Sequence, residues 1–354
     1  MSDEPTAADG RVRVLVVDDS AFARKVMREV LASHPGIEVI GIARDGLEAL
    51  EKIAEERPDV VTLDLVMPNL DGLGVLSALP AEGAPAVVVV SISGADSELG
   101  IRALQAGAMD IVEKPTALAT DRLYSLGGRL VETVLAAAGA RRPATFMVAP
   151  PAVSPEAQPP AISISHGTRL VVIGASTGGP QALTRIVTAL PKHFPVPVAL
   201  VLHIPPGYTE AFAKRLDDVS AVEVLEAHDG LELCPGRVVV ARAGYHLKLD
   251  RREGRLLSRL DLEPIGTLHC PSVDVLFEAA SAELGAGVLG VVLTGMGNDG
   301  LRGARAIHAA GGRLLTEAES TCVVYGMPRV VRDAGLSRAE APISEMADLI
   351  LNHL

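Results

Sequence analysis

The chain has 354 residues, of which 48% are hydrophobic and 21% are charged, a composition typical of a folded globular protein. Acidic residues outnumber basic residues by 44 to 32, and this formal net charge of −12 argues against binding to bulk nucleic acid or anionic membranes. The three cysteines are widely spaced, which excludes a disulfide framework or a zinc ribbon. Residues 1–10 do not resemble a signal peptide, and the apolar runs are too short to span a bilayer. We therefore expect a reduced, cytoplasmic protein.

Residues 136–167 separate two parts of the chain. This stretch is rich in Ala and Pro and lacks helical or strand periodicity over its middle, as is typical of a semi-extended interdomain linker. The alternative is a long insertion loop within one domain, but structureless loops of that length are uncommon in compact domains. The sequence thus predicts a first domain at 11–135, a linker at 136–167 and a second domain at 168–354.

Before the linker, apolar strands alternate with helical patterns. The strand candidates are residues 12–17, 37–43, 60–65, 86–91 and 110–114. Helical patterns begin near Ser20, Gly46, Gly72, Ser97 and Leu118. Continuous Val and Ile runs alternating with helices predict an α/β domain with a doubly wound, flavodoxin-like sheet of five parallel strands.

Polar residues that suit phosphoryl chemistry stand at the carboxyl ends of four of these strands. They are Asp18 and Asp19 after the first, Asp64 at the third, Ser91 at the fourth and Lys114 after the fifth. Converging carboxylates repel one another unless a cation neutralises them, and an all-oxygen cluster suits Mg²⁺. An Asp-Asp pair after a strand is often only a helix N-cap, but four matching strand ends are improbable by accident. The pattern predicts an acyl phosphate formed on one aspartate.

The front half resembles the response-regulator receiver family. The resemblance rests on VVDDS, on LDLVMPNLDG, on the strand-ending Ser91 and on Lys114-Pro115. It implies phosphorylation of Asp64, with Mg²⁺ held by the acidic pair together with Asp64. It also implies that Lys114 contacts the phosphoryl group and that Ser91 moves to meet it. Receivers usually carry Tyr or Phe where this chain has Ile111, so the aromatic part of the usual switch is not expected here.

The same α/β alternation resumes after the linker. The strand candidates are residues 169–174, 198–203, 222–227, 237–241, 287–294 and 312–317. Residues 241–260 read more like a hairpin. We expect a mostly parallel, doubly wound, Rossmann-like sheet with an antiparallel edge.

Three strand ends in this half carry the residue types of a serine hydrolase. Ser176 lies in a G-x-S-x-G run between a strand and a helical pattern, the setting of a nucleophile elbow. Alone, that turn is as often a phosphate or nucleotide cradle. His203 ends an apolar strand, where a satisfied core residue is the ordinary interpretation, and Asp299 follows another strand, where an N-cap is. Together they predict nucleophile, base and orienting acid at one sheet edge.

The predicted mechanism is acyl transfer. Ser176 attacks an ester carbonyl while His203 takes its proton and Asp299 orients the imidazole. Backbone N–H groups near Ser176 and Met296 hold the oxyanion. Thr177 either adds a hydroxyl beside the nucleophile or caps the following helix.

The second half resembles the catalytic domain of the chemotaxis protein-glutamate methylesterases, the CheB family. The matching segments are IGASTGGP, HIPPGYTEAFAKRL, PSVDVLF, LTGMGNDG and YGMPRVV. The resemblance implies hydrolysis of glutamate γ-methyl esters on chemoreceptors, deamidation of receptor glutamines, a histidine kinase as phosphodonor, and a receiver that shields the catalytic face until phosphorylated. It places the catalytic trio on the same three residues. Cys270, where Arg is common, and Leu202 before His203 are departures that affect only substrate contacts.

Other interpretations stay open. His246 and His269 are candidates for lining the substrate cleft, although solvated loop positions are the ordinary interpretation. One alternative is a methylesterase that serves another chemosensory pathway, one that controls something besides motility. Its sequence would carry the same motifs. A binding module with a degenerate hydrolase domain is disfavoured by the intact trio. A transcription regulator would need a basic DNA-reading segment that the sequence lacks.

Overall fold

A computed structural model describes residues 10–80, 83–91, 97–114, 120–139 and 167–354, with the backbone alone for residues 120–126. The chain divides into two compact units, Met1–Phe146 and Met147–Leu354. The last helix of the first unit ends at Gly139, so the first four residues of the predicted linker are helical. Residues 140–166 of that linker, Pro115 and residues 118–119 lie outside the described residues. Within the described ranges, no helix is long and apolar enough to cross a bilayer.

The first unit is a five-stranded parallel sheet flanked by helices. Its strands are β1 (Val12–Val17), β2 (Ile37–Ala43), β3 (Val60–Leu63), β4 (Ala86–Ser91) and β5 (Asp110–Glu113). Its helices are α1 (Ala21–Ala32), α2 (Gly46–Glu56), α3 (Gly72–Ala78), α4 (Ser97–Gln105) and α5 (Thr120–Gly139). The strand order is β2-β1-β3-β4-β5, which is the flavodoxin-like order and confirms the predicted fold.

The sheet is buried on both faces because helices cover each side. Every residue of β3 and β4 is buried, as the unbroken Val runs predicted. Side chains cap the helices that follow β1 and β2: Ser20 accepts from the N–H of Ala23, and Asp45 from that of Glu48. These caps fix the turns at the carboxyl edge of the sheet, where the acidic residues lie.

The second unit is built on a seven-stranded parallel sheet. Its strands are β6 (Leu170–Ala175), β7 (Val198–Leu202), β8 (Glu223–Glu226), β10 (Arg237–Val240), β13 (Val288–Val292), β14 (Arg313–Glu317) and β15 (Ala339–Ala341), and β9 (Glu232–Leu233) lies outside this sheet. Its helices are α6 (Gly179–Ala189), α7 (Thr209–Val219), α8 (Val273–Leu284), α9 (Leu301–Ala309), α10 (Met327–Asp333) and α11 (Met346–Leu351). The order β15-β14-β13-β6-β7-β10-β8 confirms a doubly wound, mostly parallel domain.

The antiparallel strands form a separate small sheet. The predicted hairpin is β11 (His246–Arg252) with β12 (Arg255–Asp261), and β9 pairs with β12 on its other side. The hairpin therefore does not extend the edge of the parallel sheet. The short strands β9 and β15 were not predicted, because two or three residues carry no readable periodicity.

The core of the second unit lies between the parallel sheet, α8 and the small sheet. Phe277 and Leu276 on α8 are fully buried against β6 and β13, and Leu247 and Leu249 on β11 belong to the same apolar cluster. Helix α8 is thereby anchored with its N-terminus at the carboxyl edge of the sheet. The N-terminus of α8 therefore lies at the sheet edge that carries the predicted site residues of this unit.

Candidate active site and phosphoacceptor pocket

Ser176 occupies a sharp turn between β6 and α6. The strand ends at Ala175 and the helix begins at Gly179, which leaves three residues for the reversal. Gly178 is the N-cap of α6 and has a φ of 78°, a conformation that glycine adopts without cost. Gly295 packs so closely that a Cβ added there would lie 2.7 Å from Cβ of Ser176. Glycine is therefore sterically required at position 178, after Ser176, and at position 295, in the loop that packs against Ser176.

Strand register places His203 beside Ser176. Ala175 on β6 pairs with Leu202 on β7, so the next residue of each chain segment leaves the sheet at the same edge. The N–H of His203 donates to the carbonyl of Ala175 at 3.1 Å and extends this pairing by one residue. His203 is buried.

Asp299 reaches the same edge from the opposite side of β6. Strand β13 is the other neighbour of β6, so β6 lies at the point where the strand order changes direction. After β13 the chain turns back, and Oδ2 of Asp299 lies 2.9 Å from Nε2 of His203. The prediction that strand ends bring these side chains to one edge agrees with this contact.

The Asp299 carboxylate sits at the N-terminus of α8. It accepts hydrogen bonds of 2.8–3.0 Å from the hydroxyl of Ser272 and from the N–H groups of Val273, Asp274 and Gly300. Burial alone would raise the pKa of Asp299, but the hydrogen bond with His203 and these N–H donors outweigh it and hold that pKa well below the usual range. The carboxylate is therefore ionised at neutral pH.

The backbone of Ser176 is tied to a buried carboxylate. The N–H of Ser176 donates to the carbonyl of Thr294 at 3.0 Å, and the N–H of Thr294 donates to Oε2 of Glu317 at 2.8 Å. Since the Ser176 N–H is engaged, an oxyanion donor in this region has to come from another N–H group. Glu317 was not singled out from the sequence, although it ends the predicted strand 312–317 just as His203 ends the predicted strand 198–203. Burial raises the pKa of Glu317.

Thr177 lies within this turn, and Met296 lies in the loop after β13. Thr177 is buried, and its carbonyl accepts from the hydroxyl of Thr294 at 3.0 Å. The N-cap of α6 is Gly178, so Thr177 does not take the capping position considered for it. Met296 is 38% exposed, on the loop after β13.

Two histidines lie closer to the site than the sequence indicated. The ring of His269 stacks on the ring of His203, with centroids 3.8 Å apart and an interplanar angle of 15°. His246 is fully buried, so its interpretation as a solvated loop residue was wrong. The sequence offered His269 as a candidate for lining the substrate cleft, but a loop has no periodicity that predicts a ring contact with His203.

In the first unit, the predicted acidic residues do converge. Ligand atoms of Asp18, Asp19 and Asp64 all lie within 4.8 Å of one another. Nζ of Lys114 is 2.7 Å from Oδ2 of Asp18 and 2.8 Å from Oδ2 of Asp64. Three carboxylate oxygens with one exposed member form an all-oxygen donor set that fits Mg²⁺.

Burial and ion pairing shift the pKa values of Asp18 and Lys114 in this pocket. Burial raises the pKa of Asp18, and Lys114 offsets only part of that rise. Burial would lower the pKa of Lys114, but its hydrogen bonds to Asp18 and Asp64 outweigh this, and the pKa is raised. The hydroxyl of Ser91 is buried and has no hydrogen-bond partner among the described residues. Ile111 is buried within β5.

Comparisons with known proteins match this architecture. Residues 171–350 match the CheB methylesterase family model, and residues 14–124 match the response regulator receiver domain. Protein-glutamate methylesterase/protein-glutamine glutaminase 5 of Myxococcus xanthus (strain DK1622) is 61% identical over 346 residues, covering 97% of this chain and 98% of the relative. A protein-glutamate methylesterase/protein-glutamine glutaminase of Symbiobacterium thermophilum is 45% identical over 352 residues, with 96% of each chain covered.

A solved structure matches the second unit. The Thermotoga maritima CheB methylesterase catalytic domain is 38% identical, with a TM-score of 0.52, and the match covers 53% of this chain and 99% of that one. Fold and comparisons together define a response regulator in which a receiver domain precedes an α/β hydrolase-like domain. The chain belongs to the CheB methylesterase family.

Proposed function

We propose that this protein is a phosphorylation-activated methylesterase that hydrolyses glutamate γ-methyl esters on chemoreceptors and releases methanol. The contact between His203 and Asp299 at the strand edge that carries Ser176 is the observation that supports this best. The relatives named protein-glutamate methylesterase/protein-glutamine glutaminase support the same activity. The proposed catalytic domain is 168–354, preceded by a linker at 136–167 and a receiver at 11–135.

Ser176, His203 and Asp299 form the proposed catalytic triad. Since Nε2 of His203 faces the ionised Asp299, that nitrogen carries the proton and Nδ1 is the base for the Ser176 hydroxyl. Ser176 Oγ bonds to the ester carbonyl carbon as its proton passes to His203. Asp299 stabilises the imidazolium that results.

The tetrahedral intermediate then collapses to an acyl-enzyme. His203 returns its proton to the leaving methoxide, which departs as methanol, and water hydrolyses the glutamyl ester on Ser176 to free carboxylate. The oxyanion is assigned to N–H groups around Thr177 and Met296, because the N–H of Ser176 is occupied by Thr294. Deamidation of glutamine follows the same steps, with ammonia leaving in place of methanol.

The receiver supplies the proposed control. Asp64 is the proposed phosphoacceptor for a histidine kinase, and Asp18, Asp19 and Asp64 would hold Mg²⁺. When bound, the ion screens negative charge on the phosphoryl donor. Lys114 already lies beside Asp64, and the hydroxyl of Ser91 is buried. Both groups would donate hydrogen bonds to phosphoryl oxygens. We further propose that chemoreceptors are the substrates, that a histidine kinase donates the phosphoryl group and that the protein is cytoplasmic.

Methanol release from methylated chemoreceptor membranes tests the activity. The wild-type protein should release methanol, and Ser176→Ala should not. Release by Ser176→Ala at the wild-type rate would refute the assignment of the nucleophile. An inactive wild-type protein on every methylated receptor tried would favour a binding module instead.

A further inference from the structure

The stacked pair of His203 and His269 is not required by a three-residue triad. Their ring centroids lie 3.8 Å apart and their planes are 15° from parallel. We propose that His269 is a positioning residue, whose flat ring fixes the plane of the His203 imidazole during proton transfer. This inference rests on the proposed role of His203 as the base.

The geometry of His203 explains why such support matters. Its one hydrogen bond to the orienting acid, from Nε2 to Asp299, holds one edge of the ring. The torsion that turns a histidine ring about its Cβ–Cγ bond is broad, so one edge contact leaves the ring plane loosely set. Proton transfer from Ser176 depends on that plane, because a small misplacement of a reacting group lowers the rate steeply. A parallel ring against one face restricts the rotation.

Buried His246 contacts the chain on both sides of His269. Two residues before His269, the hydroxyl of Thr267 lies 3.2 Å from Nε2 of His246, and three residues after it the N–H of Ser272 donates to Nδ1 at 3.2 Å. Accepting that N–H requires Nδ1 of His246 to be unprotonated. Burial lowers the pKa of His246 and keeps it neutral.

A backbone bond adds to this support. The N–H of Gly244 donates to the carbonyl of Cys270 at 3.0 Å, which ties the residue after His269 to the loop before β11. His269 therefore projects from a segment fixed at residues 267, 270 and 272. Without these contacts, a half-buried loop residue would not hold a ring in a fixed plane.

The same segment also holds the orienting acid. Directly after Pro271, Ser272, Val273 and Asp274 provide the hydroxyl and the two N–H groups that bind the Asp299 carboxylate. Residues 267–274 thus support the face of the His203 ring through His269 and its edge through Asp299. This arrangement explains how one short segment can set the geometry of the base.

Two substitutions separate the effect of the aromatic surface of His269 from the effect of its ring nitrogens. His269→Phe keeps an aromatic surface for stacking and lacks the ring nitrogens, whereas His269→Ala removes the surface. His308 lies exposed on α9, away from the triad segments, and His308→Ala is the matched control. All four proteins, including the wild type, are compared as full chains after circular dichroism shows that they are folded.

We expect His269→Ala to lower kcat for methanol release about tenfold, with KM within about twofold, the scale of one aromatic pair. His269→Phe should recover most of that loss, and His308→Ala should match the wild type. The same order should appear in the rate at which a fluorophosphonate labels Ser176, followed by mass spectrometry. That second readout needs no receptor.

Three results would overturn the inference. A wild-type kcat in His269→Ala is one, and a folded His269→Phe as slow as His269→Ala is another. The third is a failure of the fluorophosphonate to label Ser176 in the wild type. That result would refute both the role of His203 as the base and the role of His269 in positioning it. If labelling follows the expected order while no receptor is demethylated, the proposed substrate fails and the role of His269 stands.

Discussion

The carboxylate of Asp299 accepts a hydrogen bond from His203 at 2.9 Å while the first turn of α8 donates two backbone N–H groups to its two oxygens. The carboxylate that contacts His203 thus also binds the N-terminus of α8, the helix whose N-cap is Ser272. A change at this position acts on catalysis and on stability at once, and the two effects can be measured apart.

Asp299→Asn is expected to reduce kcat by roughly 10⁴, as loss of the orienting acid does in serine triads. Asn keeps the size of Asp but removes the charge that stabilises the imidazolium. Single-turnover methanol release measures the loss. An unimpaired Asp299→Asn would remove this residue from the triad.

The same variant should also be less stable. Both oxygens of Asp299 accept hydrogen bonds, so the amide NH₂ of Asn must face a donor whichever way it is turned. One unsatisfied buried group costs about 1–3 kcal/mol in the free energy of unfolding. Urea unfolding of Asp299→Asn against Ser176→Ala, which keeps the carboxylate, measures the difference. Equal midpoints and slopes would show that the capping bonds contribute nothing.

Glu317 gives a prediction about pH. Its carboxylate holds the Thr294 N–H, and burial raises its pKa, so the folded chain binds this proton more tightly than the unfolded chain. At a pH above the pKa of Glu317 in the folded chain, its buried negative charge therefore lowers the free energy of unfolding. This penalty disappears as the pH falls below the glutamate pKa in the unfolded chain, about 4.3. Glu317→Gln retains an oxygen for Thr294 without the charge.

We expect Glu317→Gln to raise the free energy of unfolding at pH 7 relative to the wild type, with the difference shrinking towards pH 4. Glu319→Gln, two residues away and exposed, is the control that should change little. Glu317→Ala should lower both stability and kcat, because the Thr294 N–H then loses its acceptor. A gain from Glu317→Gln that stays constant with pH would contradict the assigned cause.

The strand pattern was enough to predict the fold, and it brought His203 and Asp299 to one sheet edge, where their side chains are in contact. Parallel strands end at one edge, so Ser176, His203 and Asp299 could be grouped from their positions after apolar runs. The same reasoning grouped Asp18 with Asp64. Long-range contacts within loops could not be predicted this way. His269 is 66 positions from His203 in sequence, and the contacts that hold residues 267–272 in place are made by residues from other parts of the chain.

Glu317 shows a signal that was present but not used. Glu317 is a buried charged residue at the end of β14, and His203 is a buried titratable residue directly after β7. The separate antiparallel sheet was harder to foresee, because a hairpin pattern does not reveal which sheet it joins. The number of strands in that sheet depends on β9, which has two residues.

Lys114 gives a prediction about metal binding. Its ammonium pairs with both Asp18 and Asp64, and all three residues are buried. Lys114→Met leaves two buried carboxylates without their cation, which is expected to cost about 3–5 kcal/mol in the free energy of unfolding. Because Mg²⁺ would restore positive charge there, millimolar Mg²⁺ should raise the melting temperature of the variant more than that of the wild type.

The control for this change is Lys25→Met, which removes the same charge from an exposed i,i+4 pair with Glu29. Its effect should be about 0.5 kcal/mol or less. Scanning calorimetry with Mg²⁺ and with EDTA measures all three proteins. An equal Mg²⁺ response in wild type and Lys114→Met would show that the ion does not bind at these carboxylates.

Phosphorylation of Asp64 is expected to raise the rate of methanol release. A phosphoryl group on Asp64 adds negative charge beside Lys114 and offers oxygens to the buried hydroxyl of Ser91, so the pocket must rearrange. A small-molecule phosphodonor with Mg²⁺ should therefore stimulate the wild type but not Asp64→Asn, which keeps its basal rate. Ser91→Ala should accept the phosphoryl group, shown by intact mass, yet respond less. Stimulation of Asp64→Asn equal to that of the wild type would place the phosphoacceptor elsewhere, and full stimulation of Ser91→Ala would remove that hydroxyl from the switch.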